Sequence, residues 1–79
     1  MSNATTQDVY LRVAVATPLW QLFDYLPPPD CDPQQLKPGI RLSVPFGRSA
    51  KRIAILITIT TTTDVPLTKL KLVSAIIDY

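Results

Sequence analysis

The residues best suited to chemistry lie around positions 45 to 52, where one aromatic ring stands among cations. Phe46 is close in sequence to Arg48, Lys51 and Arg52. Aromatic rings stack on bases and cations bind phosphates, so this composition suits single-stranded nucleic acid. Phe46 is equally well explained as a core residue beneath the loop, and the residue types leave both interpretations open.

A second aromatic group, consisting of Trp20, Phe23 and Tyr25, surrounds Asp24. A carboxylate repels phosphates, but it accepts hydrogen bonds from a hydroxyl or from base N–H groups. A 3′ end has a free hydroxyl that internal nucleotides lack, so Asp24 near basic side chains could recognise a strand end. The alternative is that Asp24 caps a turn before the prolines that follow, and residue type alone favours this commoner role.

Charge is distributed unevenly along the chain. The formal net charge is only +2, yet residues 33 to 63 contain no acidic side chain. The cations in that interval are Lys37, Arg41, Arg48, Lys51 and Arg52. A phosphate-binding surface fits this distribution, and so does an ordinary solvated face.

The composition argues against catalysis and against bound metal. The chain has no His and only two glycines, which removes His-dependent triads, imidazole ligands and a Walker-type phosphate loop. The single cysteine, Cys31, cannot form an internal disulfide, which is typical of a reducing, cytosolic setting. No apolar run approaches the roughly 20 residues of a membrane span. We therefore expect no enzymatic activity, cofactor or membrane contact for this chain.

The segments that carry these residues are predicted to be strands. Val, Ile and Thr are abundant and Glu is absent, which favours pleated strands over helices. The predicted strands cover residues 8–16, 23–26, 40–44, 52–61 and 72–77. Single helical turns are predicted at 34–38 and 67–70. The fold class is mainly β: a small curled sheet or partly open barrel of four to five short strands with at most one or two helical turns.

The alternation of residue types predicts which side chains share a face of two strands, and a group of prolines predicts one loop. Val9, Leu11, Val13 and Val15 share a face of the first strand, and Ile53, Ile55, Ile57 and Ile59 share a face of the longest. The strands at 40–44 and 52–61 are expected to form a hairpin across the connector 45–51. Four prolines make 27–33 a stiff surface loop. Residues 1–7 are interpreted as a disordered start or cloning scar, and 8–79 as the domain.

Four ordered sequence blocks resemble a known family. They are FDYLP at 23–27, KPGIRLSVPFGR at 37–48, RIAIL at 52–56 and VPLTKLK at 65–71. Together they resemble the N-terminal DNA-binding domain of the PriA replication-restart (primosome) helicases, over roughly residues 9 to 78. The proline-rich loop is longer than the family's usual version, and Trp20 has no assigned role.

This resemblance implies a site and a ligand. The family's domain binds the 3′ end of the nascent leading strand at a stalled fork without regard to base identity. The positions that match its nucleotide-binding residues are Phe23, Asp24, Gly47 and Lys71. Those expected to contact phosphates are Arg48, Lys51 and Arg52. The resemblance thus favours the strand-end role of Asp24 over the turn-capping role.

The resemblance also implies a larger parent protein. Such a parent is an ATP-dependent 3′-to-5′ helicase of the bacterial cytoplasm, associated with the nucleoid. Its ATP, Mg and zinc sites would lie outside this chain. The expected partners are forked or single-stranded DNA with a free 3′ end, the remaining helicase domains and primosome proteins. The alternative is a small β-barrel that docks on a partner protein and has no DNA-end specificity.

Overall fold

A computed structural model describes residues 9–47 and 49–78 of the chain. Within them five strands form one sheet: β1 Tyr10–Ala16, β2 Trp20–Tyr25, β3 Arg41–Phe46, β4 Ser49–Thr60 and β5 Ala75–Ile76. Their order is β2-β1-β4-β3-β5, and every neighbouring pair is antiparallel. The predicted mainly β fold is confirmed. The predicted disordered start and the predicted phosphate contact Arg48 lie outside the described residues.

The core lies on one face of the sheet, as the alternation in β1 predicted. Leu11, Val13 and Val15 are fully buried. Leu42 and Val44 of β3 complete this layer, also without exposed surface. The two 3-10 turns, at Pro33–Gln35 and Leu67–Lys69, correspond to the predicted helical turns.

The bounds of β2 and of the β3–β4 hairpin differ from the prediction. β2 begins at Trp20 rather than Phe23, because Trp20 pairs with Ala16 across the turn at Pro18. The hairpin between β3 and β4 is confirmed, but its connector is only residues 47 and 48. Cross-strand pairing extends both strands into the segment that propensity alone identified as a loop.

One prediction for β4 is wrong, because its isoleucines do not share a face. Arg12 lies opposite Thr58. The next residue of β1, Val13, lies opposite Leu56, which leaves Ile57 as the extra residue of a β-bulge. An inserted residue shifts the alternation by one on either side of it.

The bulge determines which side chains of β4 reach the core. Ala54 and Leu56 are fully buried, and Ile59 packs against the core from beyond the bulge. Ile53 and Ile57 instead face solvent, with 52% and 43% of their surface exposed. The outer face of the sheet is therefore partly apolar.

The two ends of the sheet approach each other without closing into a barrel. The Leu26 N–H donates to the Lys71 carbonyl (2.8 Å), and the Val73 N–H donates to the Leu26 carbonyl (2.9 Å). The chain then crosses to β3, where the Ser74 N–H donates to the Ser43 carbonyl (2.8 Å). The predicted closing strand 72–77 is thus reduced to β5, since its first residues contact the opposite end of the sheet. We call this junction at Leu26 and Lys71 the seam.

Candidate nucleic-acid interface

A pocket of about 570 Å³ opens beside the seam. Its wall includes all four residues that the resemblance assigned to nucleotide binding: Phe23, Asp24, Gly47 and Lys71. They come from β2, the tip of the β3–β4 hairpin and the segment after the second 3-10 turn. The fold therefore brings together side chains that are up to 48 positions apart in sequence (71 − 23).

Hydrogen bonds across the seam and the curled sheet fix the walls of this pocket. The Lys71 backbone is bound to Leu26, two residues after Asp24. On the opposite side the Tyr25 hydroxyl donates to the Pro45 carbonyl (2.8 Å), which joins β2 to β3. Burial raises the pKa of Tyr25, so the phenol keeps the proton that this bond requires.

Asp24 is held by two side chains and does not cap a turn. The Arg12 Nε donates to Asp24 Oδ1 (2.8 Å) and the Arg12 Nη2 donates to Oδ2 (3.1 Å). The Thr63 hydroxyl donates to Oδ2 as well (2.6 Å). Only 7% of the Asp24 side chain is exposed. The hydrogen bonds from Arg12 hold the pKa of Asp24 below its usual value, against the opposing effect of burial. The carboxylate is therefore ionised and fixed in orientation.

An aromatic pair forms the apolar part of the wall. The rings of Phe23 and Phe46 meet edge to face, with centroids 5.2 Å apart and an interplanar angle of 77°. Phe46 also packs against the core, as one of the two interpretations of the sequence expected, and it lines the pocket as well. The Arg52 guanidinium carbon lies 5.7 Å from the centre of the Phe46 ring, within cation–π range.

Gly47 lies at the hairpin tip with a φ of +64°. Residues with a side chain rarely adopt this left-handed conformation, so the turn itself favours glycine. A Cβ added there would meet no heavy atom within 4 Å, since the position faces open space. The mouth of the pocket is thus free on this side.

Two of the predicted phosphate contacts, Lys51 and Arg52, lie outside the pocket wall. Lys51 and Arg52 are exposed on β4, beside the hairpin tip. Lys69, which the sequence did not single out, lines the pocket together with Lys71. Asp64 is the second carboxylate of the wall. Lys69 was identifiable in principle, because it lies in the same PLTKLK segment as Lys71.

Sequence reasoning also missed Arg12 and Thr63, the two partners of Asp24. Arg12 lies in none of the four sequence blocks that resemble the family. The signal was present in the symmetry of the β1–β2 hairpin: Ala16 pairs with Trp20, and counting back from the turn puts Arg12 opposite Asp24. Thr63 carried no comparable signal, since it belongs to a run of four threonines.

Metal and membrane features are not found in the described part of the chain. No three His, Cys, Asp or Glu side chains of residues 9–47 and 49–78 group as a metal site. None of the helical segments there is long and apolar enough to cross a membrane. The wall residues thus supply hydrogen bonds, aromatic surface and charge.

The chain is similar to a known protein family and to a relative from that family. The family model of the PriA 3′ DNA-binding domain (3′BD) matches residues 12–79. The replication restart protein PriA of Haemophilus influenzae is 49% identical over 61 residues, which cover 77% of this chain. The matched region makes up only 8% of that relative's length.

Proposed function

Because the chain belongs to the family of PriA 3′ DNA-binding domains, we propose that its pocket binds the 3′-terminal nucleotide of the nascent leading strand at a stalled fork. The observation that carries this proposal is the Asp24 carboxylate, which faces a pocket walled by aromatic rings and lysines. A carboxylate accepts hydrogen bonds and donates none, so it suits a free hydroxyl and repels a phosphate. The 3′-terminal nucleotide has a free hydroxyl that internal nucleotides lack.

Each of the four residues that the resemblance assigned to nucleotide binding has a role in this proposal. Asp24 accepts the hydrogen bond of the terminal 3′-hydroxyl, and Phe23 packs against the sugar or base. Gly47 admits the nucleotide, because it carries no side chain of its own at this part of the wall. Lys71 supplies positive charge for the terminal phosphodiester, and we add Lys69 to it as a second cation.

The proposed binding does not depend on base identity. Among the described residues, the pocket wall contains no Asn or Gln, the side chains that commonly read base edges in pairs of hydrogen bonds. Aromatic surface is present, and every base has a face that stacks. Arg48, Lys51 and Arg52 are proposed to hold the phosphates of the strand beyond the pocket.

The test compares two forms of one oligonucleotide. A fluorescence-anisotropy titration should give tighter binding for a strand with a free 3′-hydroxyl than for the same strand with a 3′-phosphate, by about tenfold or more. The Asp24→Asn variant should lose most of this preference, because the amide lacks the charge and presents a donor. Equal binding of both strands by the unaltered protein would overturn end recognition.

A module that binds a partner protein is the competing function. The exposed Trp20 and Ile53 on the outer face give it some support, at 64% and 52% exposure. The salt dependence of binding distinguishes the two functions, because phosphate contacts make affinity fall steeply as salt rises. On single strands, each contact contributes about 0.7 to the slope of log binding constant against log salt concentration. Apolar docking should respond little.

The parent protein is proposed to be an ATP-dependent 3′-to-5′ helicase of the bacterial cytoplasm that restarts replication near the nucleoid. This chain would be its N-terminal, non-catalytic module. ATP, Mg and zinc would bind elsewhere in the parent. The other helicase domains and primosome proteins would be its protein partners. A deletion of this module should leave ATP hydrolysis on unstructured single strands measurable while reducing discrimination among 3′ ends.

A further inference from the structure

The carboxylate of Asp24 has almost no free hydrogen-bonding capacity. An ionised carboxylate offers about four acceptor positions, two on each oxygen. Oδ2 receives Arg12 Nη2 and the Thr63 hydroxyl, so both of its positions are in use. Oδ1 receives Arg12 Nε, and no second donor from residues 9–47 and 49–78 binds it, which leaves one position. The carboxylate can therefore accept one further donor, and only at Oδ1.

Arg12 holds the carboxylate in a defined plane. Its two bonds to Asp24 form the bidentate arrangement of a guanidinium and a carboxylate, which fixes direction as well as distance. The two residues face each other on β1 and β2, so the sheet register maintains the pair. The guanidinium charge also offsets the carboxylate charge, which would otherwise repel an approaching strand.

We propose that Arg12 and Thr63 are positioning residues, which direct the remaining acceptor of Asp24 Oδ1 at the 3′-hydroxyl and make the pocket selective for that group. This proposal rests on the proposed function and assigns a role to two residues outside the four sequence blocks that resemble the family. Arg12 acts through Asp24 and does not itself bind a phosphate.

The competing role for Arg12 is a direct phosphate contact. Its side chain is 35% exposed and it lines the pocket, so a phosphate can reach it. A guanidinium has five N–H donors, of which Asp24 takes two. The two roles predict different responses to salt, because only a phosphate contact contributes to the salt slope.

The experiment measures the affinity ratio of 3′-hydroxyl to 3′-phosphate strands, together with the salt slope. Arg12→Gln should reduce the ratio about tenfold, comparable to the loss of a hydrogen bond to a charged group, and leave the slope unchanged. Arg12→Lys should give a ratio between those of the unaltered protein and Arg12→Gln, since lysine keeps the charge and loses the bidentate geometry. Thr63→Val should reduce the ratio, and Thr63→Ser should restore it.

Lys51→Gln is the control, since Lys51 is an exposed cation of β4 that does not line the pocket. It should lower the slope by about 0.7 and leave the ratio unchanged. In an Asp24→Asn background, Arg12→Gln should no longer change the ratio. Thermal melts monitored by circular dichroism identify any variant that fails to fold, and Arg12→Lys preserves the test in that case.

Two results overturn the proposal in different ways. If the unaltered protein prefers the 3′-hydroxyl strand and Arg12→Gln retains that preference with a lower slope, then Arg12 is a phosphate contact and only the positioning role is wrong. If the unaltered protein shows no preference, the proposed function fails and this inference fails with it.

Discussion

At the scale of single residues, the environment of Asp24 resolves an apparent conflict between an acidic side chain and a nucleic-acid ligand. Arg12 pairs with the carboxylate through two hydrogen bonds and Thr63 adds a third. Apart from this pair, the charged side chains among the described residues of the wall are Lys69, Lys71 and Asp64. The net effect is a weakly positive pocket that still contains an acceptor for a hydroxyl.

The lowered pKa of Asp24 predicts how stability depends on pH. A carboxyl whose pKa is lower in the folded state stabilises the fold above its unfolded pKa, about 3.9. That contribution is lost as pH falls through the folded value. We expect the free energy of unfolding, measured in urea at pH 2 to 6, to fall on acidification below about pH 4, and Asp24→Asn to flatten this decline.

Asp78 provides the control for this prediction. It also pairs with an arginine, Arg41, and its pKa is also lowered by those bonds, but its side chain is 37% exposed. Solvent screening weakens exposed pairs. Asp78→Asn should therefore flatten the acid decline less than Asp24→Asn, and an equal or larger effect would contradict the importance given to burial of the Asp24 pair.

Gly47 allows the turn and the pocket to be tested separately. Asn tolerates left-handed backbone better than other residues with side chains. Gly47→Asn should therefore keep the hairpin while adding a side chain at the pocket mouth. We expect a loss of affinity for 3′-hydroxyl strands of about tenfold, with a modest fall in melting temperature, as for an unstrained substitution.

The matched variant is Gly39→Asn, at the other glycine with a positive φ (+98°) and open space around it. Gly39 does not line the pocket, so this change should alter the melting temperature and leave DNA affinity as it was. If the two variants weaken binding equally, the loss reflects general stability and not the pocket.

At the scale of elements, the sequence predicts which segments are strands far better than it predicts how they register. Alternation identified the buried face of β1, because three of its residues meet the core without interruption. It failed for β4, because the bulge opposite Arg12 and Val13 arises from pairing between distant strands. Periodicity within one strand carries no information about an inserted residue.

The bulge predicts that truncating two adjacent residues lowers the free energy of unfolding by very different amounts. Leu56→Ala removes a fully buried side chain and should lower the free energy of unfolding by about 2–5 kcal/mol. Ile57→Ala, one position along, removes a side chain that is 43% exposed and should cost about 1 kcal/mol or less. Chemical denaturation measures both, and similar costs would contradict the observed register.

At the scale of the whole molecule, the pocket exists because the two ends of the sheet meet. The seam at Leu26 and Lys71 joins the segment after β2 to the segment before β5. Residue types alone suggested Asp24 as a turn former and left DNA binding open. The ordered motifs supplied the four proposed site positions, but neither source supplied Arg12 and Thr63, whose proposed roles depend on tertiary pairing.

Chemical-shift mapping of the isotope-labelled chain tests the central claim most directly. On titration with a short single strand carrying a free 3′-hydroxyl, we predict that the largest backbone amide shifts occur at Phe23, Asp24, Gly47 and Lys71. The amides of Ile53 and Ile57, on the outer face, should be unaffected. A strand with a 3′-phosphate should shift the pocket amides much less. Shifts confined to the outer face, or equal for both strands, would contradict recognition of a 3′ end by this pocket.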